Sequence, residues 1–170
     1  MNKFEVLGVE PRFSLDAGEL ERRYKELSKQ HHPDRFATAP AKERLASLQA
    51  SQRLNDAYRT LRAPTARAAH LLELHGRKLG ENDTVDQGFL LEILELREAL
   101  DEAKRQKHEA RLAELGEDIR GRHRTAMTAL GAALDERRWD EAKAELVLLR
   151  YFDRFLAEHE AGDDDGAIPD

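Results

Sequence analysis

The sequence predicts an all-α protein, with an antiparallel helical hairpin around a proline-stopped H-P-D loop and then a C-terminal three-helix bundle. Three observations carry this. Leu20, Tyr24, Leu27 and His31 recur up to Pro33 at the three- and four-residue spacing of one helix face. A second broad stripe follows Pro40, made of Leu45, Leu48, Leu54, Ala57, Tyr58 and Leu61, and can pair antiparallel with the first. Beyond residue 84, three long stretches divided by short polar turns have the pattern of an antiparallel bundle.

Composition bounds the function. With 170 residues, 40% hydrophobic and 36% charged, the chain suits one ordinary domain or two small ones with large solvated helix faces. Aromatics at 6% make for lean cores. No apolar run approaches a membrane span, and Met1 to Glu5 lack the basic and apolar regions of a signal peptide, so a cytoplasmic address is expected. The absence of cysteine excludes disulfides, a thiol nucleophile and a thiolate-held metal or cluster. The net charge is -6, and Glu158, Glu160, Asp163, Asp164, Asp165 and Asp170 account for all of it. The balanced remainder gives no long-range attraction to nucleic acid. Residues 162–170 read as a disordered acidic tail.

In order along the chain, Asn2 caps a short helix through Leu7, a small strut ended by Gly8 and Pro11. Asp16, with Glu19 three residues on, forms an acidic capping box for the second helix. Its core stripe is Leu20, Tyr24 and Leu27, and its outer face carries Arg22, Arg23, Lys25 and Lys29, joined past the loop by Arg35. From Leu20 to Arg35, five positive charges against Glu21, Glu26 and Asp34 leave a net +2. On a helix alone, such an excess serves solubility.

Pro33 fixes its own φ, removes a donor and pushes His32 out of the α region, so the helix stops and His32 and Asp34 project from a stiff turn. Chemically, the tripeptide fits a contact surface, half a metal site or a plain stop. Pro40 opens the third helix, beside whose stripe Asn55 is expected to satisfy backbone groups near the loop. Pro64 starts a fourth helix ending at Gly76, with Leu71, Leu72 and Leu74 as its apolar content and His70 and His75 as packing or surface residues. The expected divisions are 1–76, a polar link 77–83 containing Gly80, Asn82 and Asp83, the bundle 84–161 and the tail 162–170.

Thr84 with Gln87 gives a capping box for a helix to about Lys107. Helices from about Glu109 to Leu134 and from Trp139 to Glu160 follow, around the turn Asp135 to Arg138. At roughly 100° per residue, Phe89, Ile93, Leu96, Leu100 and Ala103 gather on one core face of the first bundle helix. Leu90, Leu91 and Leu94 land almost opposite, among Glu95, Glu98, Asp101 and Glu102. An acidic-rimmed leucine cluster suits a partner surface, with packing against the neighbouring domain as the alternative. The last helix is apolar at Leu146, Val147, Leu148, Leu149, Tyr151, Phe152 and Phe155, enough to spare one side chain from the core.

A helix, an H-P-D loop and a helix ending Leu54-Asn55-Asp56-Ala57-Tyr58-Arg59-Thr60-Leu61 resemble a J-domain. Asp34-Arg35-Phe36-Ala37, the stretch Pro64 to Leu72 and the stretch Phe89 to Glu98 extend the resemblance over nearly the whole chain, to the HscB family of iron–sulfur co-chaperones. The resemblance implies that the basic face of the second helix and the loop dock on a DnaK-class ATPase of the HscA type. Tyr24, Lys25, His32, Pro33 and Asp34 fall on docking positions, and Arg23 and Lys29 supply further charge on that face. Glu21 and Glu26 depart from the more basic helix of general J-domains, which suits a dedicated chaperone. It implies equally that the bundle binds the scaffold protein IscU, with Leu90, Leu91, Leu94, Glu95, Glu98 and Glu102 on the surface and Tyr151 where phenylalanine is frequent. A monomer with no metal, cofactor or catalytic residue of its own is expected. The rivals are a J-domain protein or helical adaptor for another client and a metalloenzyme. For the last, His31, His32 and Asp34 are poor ligands, since adjacent histidines point apart and no third ligand, H-E-x-x-H or Gly-rich phosphate loop accompanies them.

Overall fold

The computed structural model describes residues 1–80, 83 and 85–161 and is all-helical, with no strand among the described residues. Its helices are α1 (Lys3–Leu7), α2 (Ala17–Gln30), α3 (Ala41–Arg62), α4 (Pro64–Leu74), α5 (Gln87–Arg105), α6 (Glu109–Asp135) and α7 (Trp139–Glu160). One turn of 3-10 helix, Pro33–Phe36, separates α2 from α3. The chain divides into two compact units, Met1–Lys78 and Leu79–Asp170. Asn82, Thr84 and the predicted tail 162–170 lie outside the described residues.

In the first unit, α1 is held by a reciprocal capping box between Asn2 and Glu5 and ends on Gly8, whose φ of 63° suits glycine. The short strut plants Phe4 and Leu7, both fully buried, where α1 packs on α3. Asp16 caps α2 by accepting the Glu19 amide at 2.6 Å, but the Glu19 carboxylate turns to Arg23 instead of completing the box. Contacts pairing His31 with Ser47, Tyr24 with Asn55 and Tyr24 with Tyr58 run in opposite order along α2 and α3, so the hairpin is antiparallel.

The inward row of α3 is Ser47, Leu54 and Leu61, with Ala57 beside it. Seven-residue spacing returns to within about 20° of the same face, so Ser47 takes a core position that its polarity conceals. Leu45 and Leu48 are rotated away from it and are 55% and 45% exposed, which corrects the broad stripe read from the sequence. In α4, Ala68, Leu71 and Leu72 are buried, whereas Leu74 faces outward. His70 is a packing residue, stacked on Phe4 at 5.7 Å and accepting the Lys3 amide on Nε2 at 3.2 Å. Arg67, passed over in the sequence, closes the corner between α3 and α4 by donating to the Leu61 carbonyl at 2.7 Å and lying over the Phe13 ring.

In the second unit, α6 and α7 form a long antiparallel pair, as the contacts of His159 with Leu112 and His123 with Asp153 show, and α5 lies against both. The buried residues include Ile93, Leu100 and Ala103 of α5, Leu115, Ile119, Leu130 and Leu134 of α6 and Leu146, Leu149, Phe152 and Phe155 of α7. Phe89 and Leu96 are half-buried, not core as expected. The cap of α5 is Asp86, which accepts the Gly88 and Phe89 amides, so the helix begins beyond the predicted Thr84 box. Gly116 permits a close approach, because a Cβ there would lie 2.8 Å from the His159 ring nitrogen that bonds the Leu112 carbonyl. No described helix is long and apolar enough to cross a membrane.

Candidate functional site

Two surfaces carry the predicted residues, one on each unit. In the first, His32 takes φ −63° and ψ 127°, the extended conformation that Pro33 demands, and its side chain caps the 3-10 turn. Nδ1 accepts the Asp34 amide at 3.3 Å and lies 3.5 Å from the Asp34 carboxylate. With Nδ1 turned to the Asp34 amide, Nε2 is the ring nitrogen left for a partner. The two side chains are 57% and 90% exposed, an imidazole and a carboxylate presented to solvent. The turn is braced from behind. Ser47 donates its hydroxyl to the His31 carbonyl at 2.9 Å, and Arg35 reaches back to the Lys29 carbonyl at 3.2 Å. Ser47 therefore does the backbone work expected of Asn55. Asn55 instead accepts the Tyr24 hydroxyl at 2.9 Å, while the Tyr24 ring stacks on Tyr58 at 4.1 Å.

The cationic face of α2 is unevenly available. Lys25 pairs with Glu21 at 2.6 Å, and Arg23 sits 3.5 Å from Glu19. The Lys25 hydrogen bond, then its charge, holds Glu21 below the usual carboxylate range, and the same contact raises Lys25. Arg22 and Lys29 have no carboxylate partner among the described residues. Glu21, read as a departure from a basic helix, thus spends its charge on Lys25.

On the bundle, Leu91 and Leu94 are 62% and 55% exposed, while Leu90 is half-buried and so is shared between the surface and the core. Glu95, Glu98 and Glu102 are exposed around them. Glu102 is engaged by Arg105 of its own helix and by Gln106, the residue that caps it, and nearby Glu92 takes Arg122 of α6 at 2.6 Å. Tyr151 is half-buried, with its ring edge-on to Phe89 at 5.6 Å. Phe152, next in sequence, is buried, so Tyr151 is the aromatic of that pair left at the surface, and Leu148 is half-buried as well. Among the described residues, no three His, Cys, Asp or Glu side chains are placed to hold a metal ion.

Residues 2–70 match the DnaJ domain family, and residues 85–160 match the HSCB C-terminal oligomerisation domain. Together with the exposed H-P-D turn, they define a J-domain co-chaperone. The chain is 34% identical to the chaperone HscB from Vibrio cholerae, with a TM-score of 0.84 over 94% of this chain and 96% of that one. It is 31% identical to the human co-chaperone protein HscB, with a TM-score of 0.87 over 94% and 81% of the two chains. The Jac1 co-chaperone from Saccharomyces cerevisiae shares the fold at 23% identity, with a TM-score of 0.75 over 99% and 95%. The chain belongs to the HscB family.

Proposed function

We propose that this co-chaperone serves iron–sulfur cluster assembly, binding an IscU-type scaffold through the leucine face of α5 and delivering it to a DnaK-class chaperone of the HscA type. The observation that carries this is the pair Leu91 and Leu94, held in water on a helix whose other face is already buried in the core. Burying a leucine stabilises by about 1.5–3 kcal/mol, so two such anchors suffice to dominate an interface. Leu90 and Tyr151 extend the apolar centre, and Glu95, Glu98 and Glu102 form its polar rim.

The chaperone docks on the first unit through His32, Pro33 and Asp34, with Tyr24, Arg23, Lys25 and Lys29 alongside. The braced turn presents the Asp34 carboxylate and the His32 imidazole in one fixed geometry, so little conformational entropy is lost on contact. Hydrolysis takes place in the partner's ATPase site, and this chain contributes binding energy at two surfaces. The test is single-turnover ATPase stimulation of an HscA-type chaperone, with and without scaffold, beside calorimetric titration of the scaffold alone. Stimulation that survives His32→Gln, or scaffold binding that survives loss of Leu91 and Leu94, refutes the corresponding half.

A further inference from the structure

A notch of about 320 Å³ opens beside the leucine face, lined by Gly80, Asp83, Val147, Arg150, Tyr151 and Arg154. All six belong to the second unit. Arg150 and Arg154 are exposed and stand one turn apart on α7, so their guanidinium groups share a face. The carboxylate that lines the notch with them is committed elsewhere. Asp83 is paired with Lys143 at 2.7 Å and accepts the Gly80 amide at 2.6 Å. Those two hydrogen bonds hold it below the usual carboxylate range, with Arg150 acting only through its charge. Neither Arg150 nor Arg154 has an ion-pair partner among the described residues.

Tyr151 brings the notch to the edge of the leucine face, because it lines the first and meets Phe89 edge-on, beside the half-buried Leu90 that is shared between that face and the core. The rim of that face is therefore bipolar. Among the described residues, Glu95, Glu98 and Asp101 have no cationic partner on the α5 side, and the two guanidinium groups have no anion on the α7 side. Apolar burial is non-directional, so leucines alone do not decide which way round a partner lies. Opposed charges at the two edges do, since the reversed orientation sets like charges together.

We propose that Arg150 and Arg154 receive a carboxylate side chain of the protein that docks on the leucine face, and so fix its orientation across α5 and α7. The proposal rests on the scaffold-binding function proposed above. A carboxylate is the acidic group that a protein surface carries unmodified, and guanidinium groups match it in paired hydrogen bonds.

The test is calorimetric titration of the full chain with a purified IscU-type scaffold at low and high ionic strength. The double variant Arg150→Gln/Arg154→Gln is expected to bind about three- to thirtyfold more weakly at low salt, with a shallower salt dependence. The double variant to Glu should be weaker still, and the double variant to Lys should retain part of the affinity. Circular dichroism of the variants should match the parent, since both side chains are exposed. Unchanged affinity and salt dependence in the Gln variant overturn the proposal, provided that Leu91→Ala/Leu94→Ala in the same series does weaken binding. If the leucine variant also binds normally, the docking face itself is refuted. A chain ending at Ala161 tests the alternative occupant, the acidic stretch Asp163 to Asp165. If the Gln variant binds at least as tightly as the parent, and removing the stretch strengthens the parent alone, the notch belongs to this chain's own acids and the proposal falls.

Discussion

Replacing Leu91 and Leu94 by alanine separates a partner surface from concealed core. At 62% and 55% exposure, both side chains are largely in water before any partner arrives. Surface changes of this kind stay within about 0.5 kcal/mol each, and alanine is the better helix former. The double variant should therefore lose at most about 1 kcal/mol, or about 4–8 °C in melting temperature for a unit of this size. Leu100→Ala is the internal standard, because Leu100 is 1% exposed and a buried change of this kind costs about 2–5 kcal/mol. Binding should respond in the opposite order. Each Leu→Ala deletes three carbons worth about 0.8 kcal/mol apiece on burial, so even half-burial of both in a complex loses about 2.4 kcal/mol, or roughly fiftyfold in affinity. Thermal unfolding and calorimetric titration with an IscU-type scaffold read the two quantities on one sample. A double variant that melts as low as Leu100→Ala, or binds as tightly as the parent, refutes the assignment of these leucines to an interface.

Four further outcomes are expected. His32→Gln and Asp34→Asn should each abolish ATPase stimulation of an HscA-type chaperone without altering circular dichroism, because both side chains project into solvent. Lys29→Ala should raise the concentration for half-maximal stimulation more than Lys25→Ala, since Glu21 already neutralises Lys25; the reverse order would count against an electrostatic docking face. Ser47→Ala leaves the His31 carbonyl without its hydroxyl donor, and denaturant unfolding should show a loss of about 1–3 kcal/mol together with weaker stimulation. Burial, then Glu141, raises Glu145 above the usual carboxylate range. A carboxyl whose folded pKa is raised destabilises the fold above that pKa and ceases to do so once pH falls below the unfolded value. Glu145→Gln should therefore raise the melting temperature at pH near 7, with the gain shrinking toward the ordinary carboxylate value of 4.5.

Much of the chain was legible because helix ends are decided locally. Pro33, the Asn2 cap, Pro64 and the polar turn near Arg137 each act through their own φ or hydrogen bonds, and the predicted limits of α6 and α7 lie within one residue of those found. Where two local signals compete for one helix end, the sequence does not rank them. Asp86 won the cap of α5 because it stands next to the amides that it accepts.

By itself, the sequence determined the all-helical class, the stop at Pro33 that exposes an imidazole and a carboxylate, and the angular separation of Leu91 and Leu94 from the core face of α5. Only the tertiary structure decided which members of an apolar stripe find a neighbour. Periodicity orders side chains around one helix but does not say where the facing helix lies, so Leu45 and Leu48 emerged at the surface while Ser47, satisfied by the His31 carbonyl, entered the core. The same reason governs the charges. Lys143 takes Asp83 and leaves Arg150 without it, a pairing set by side chains that fold together from sixty residues apart.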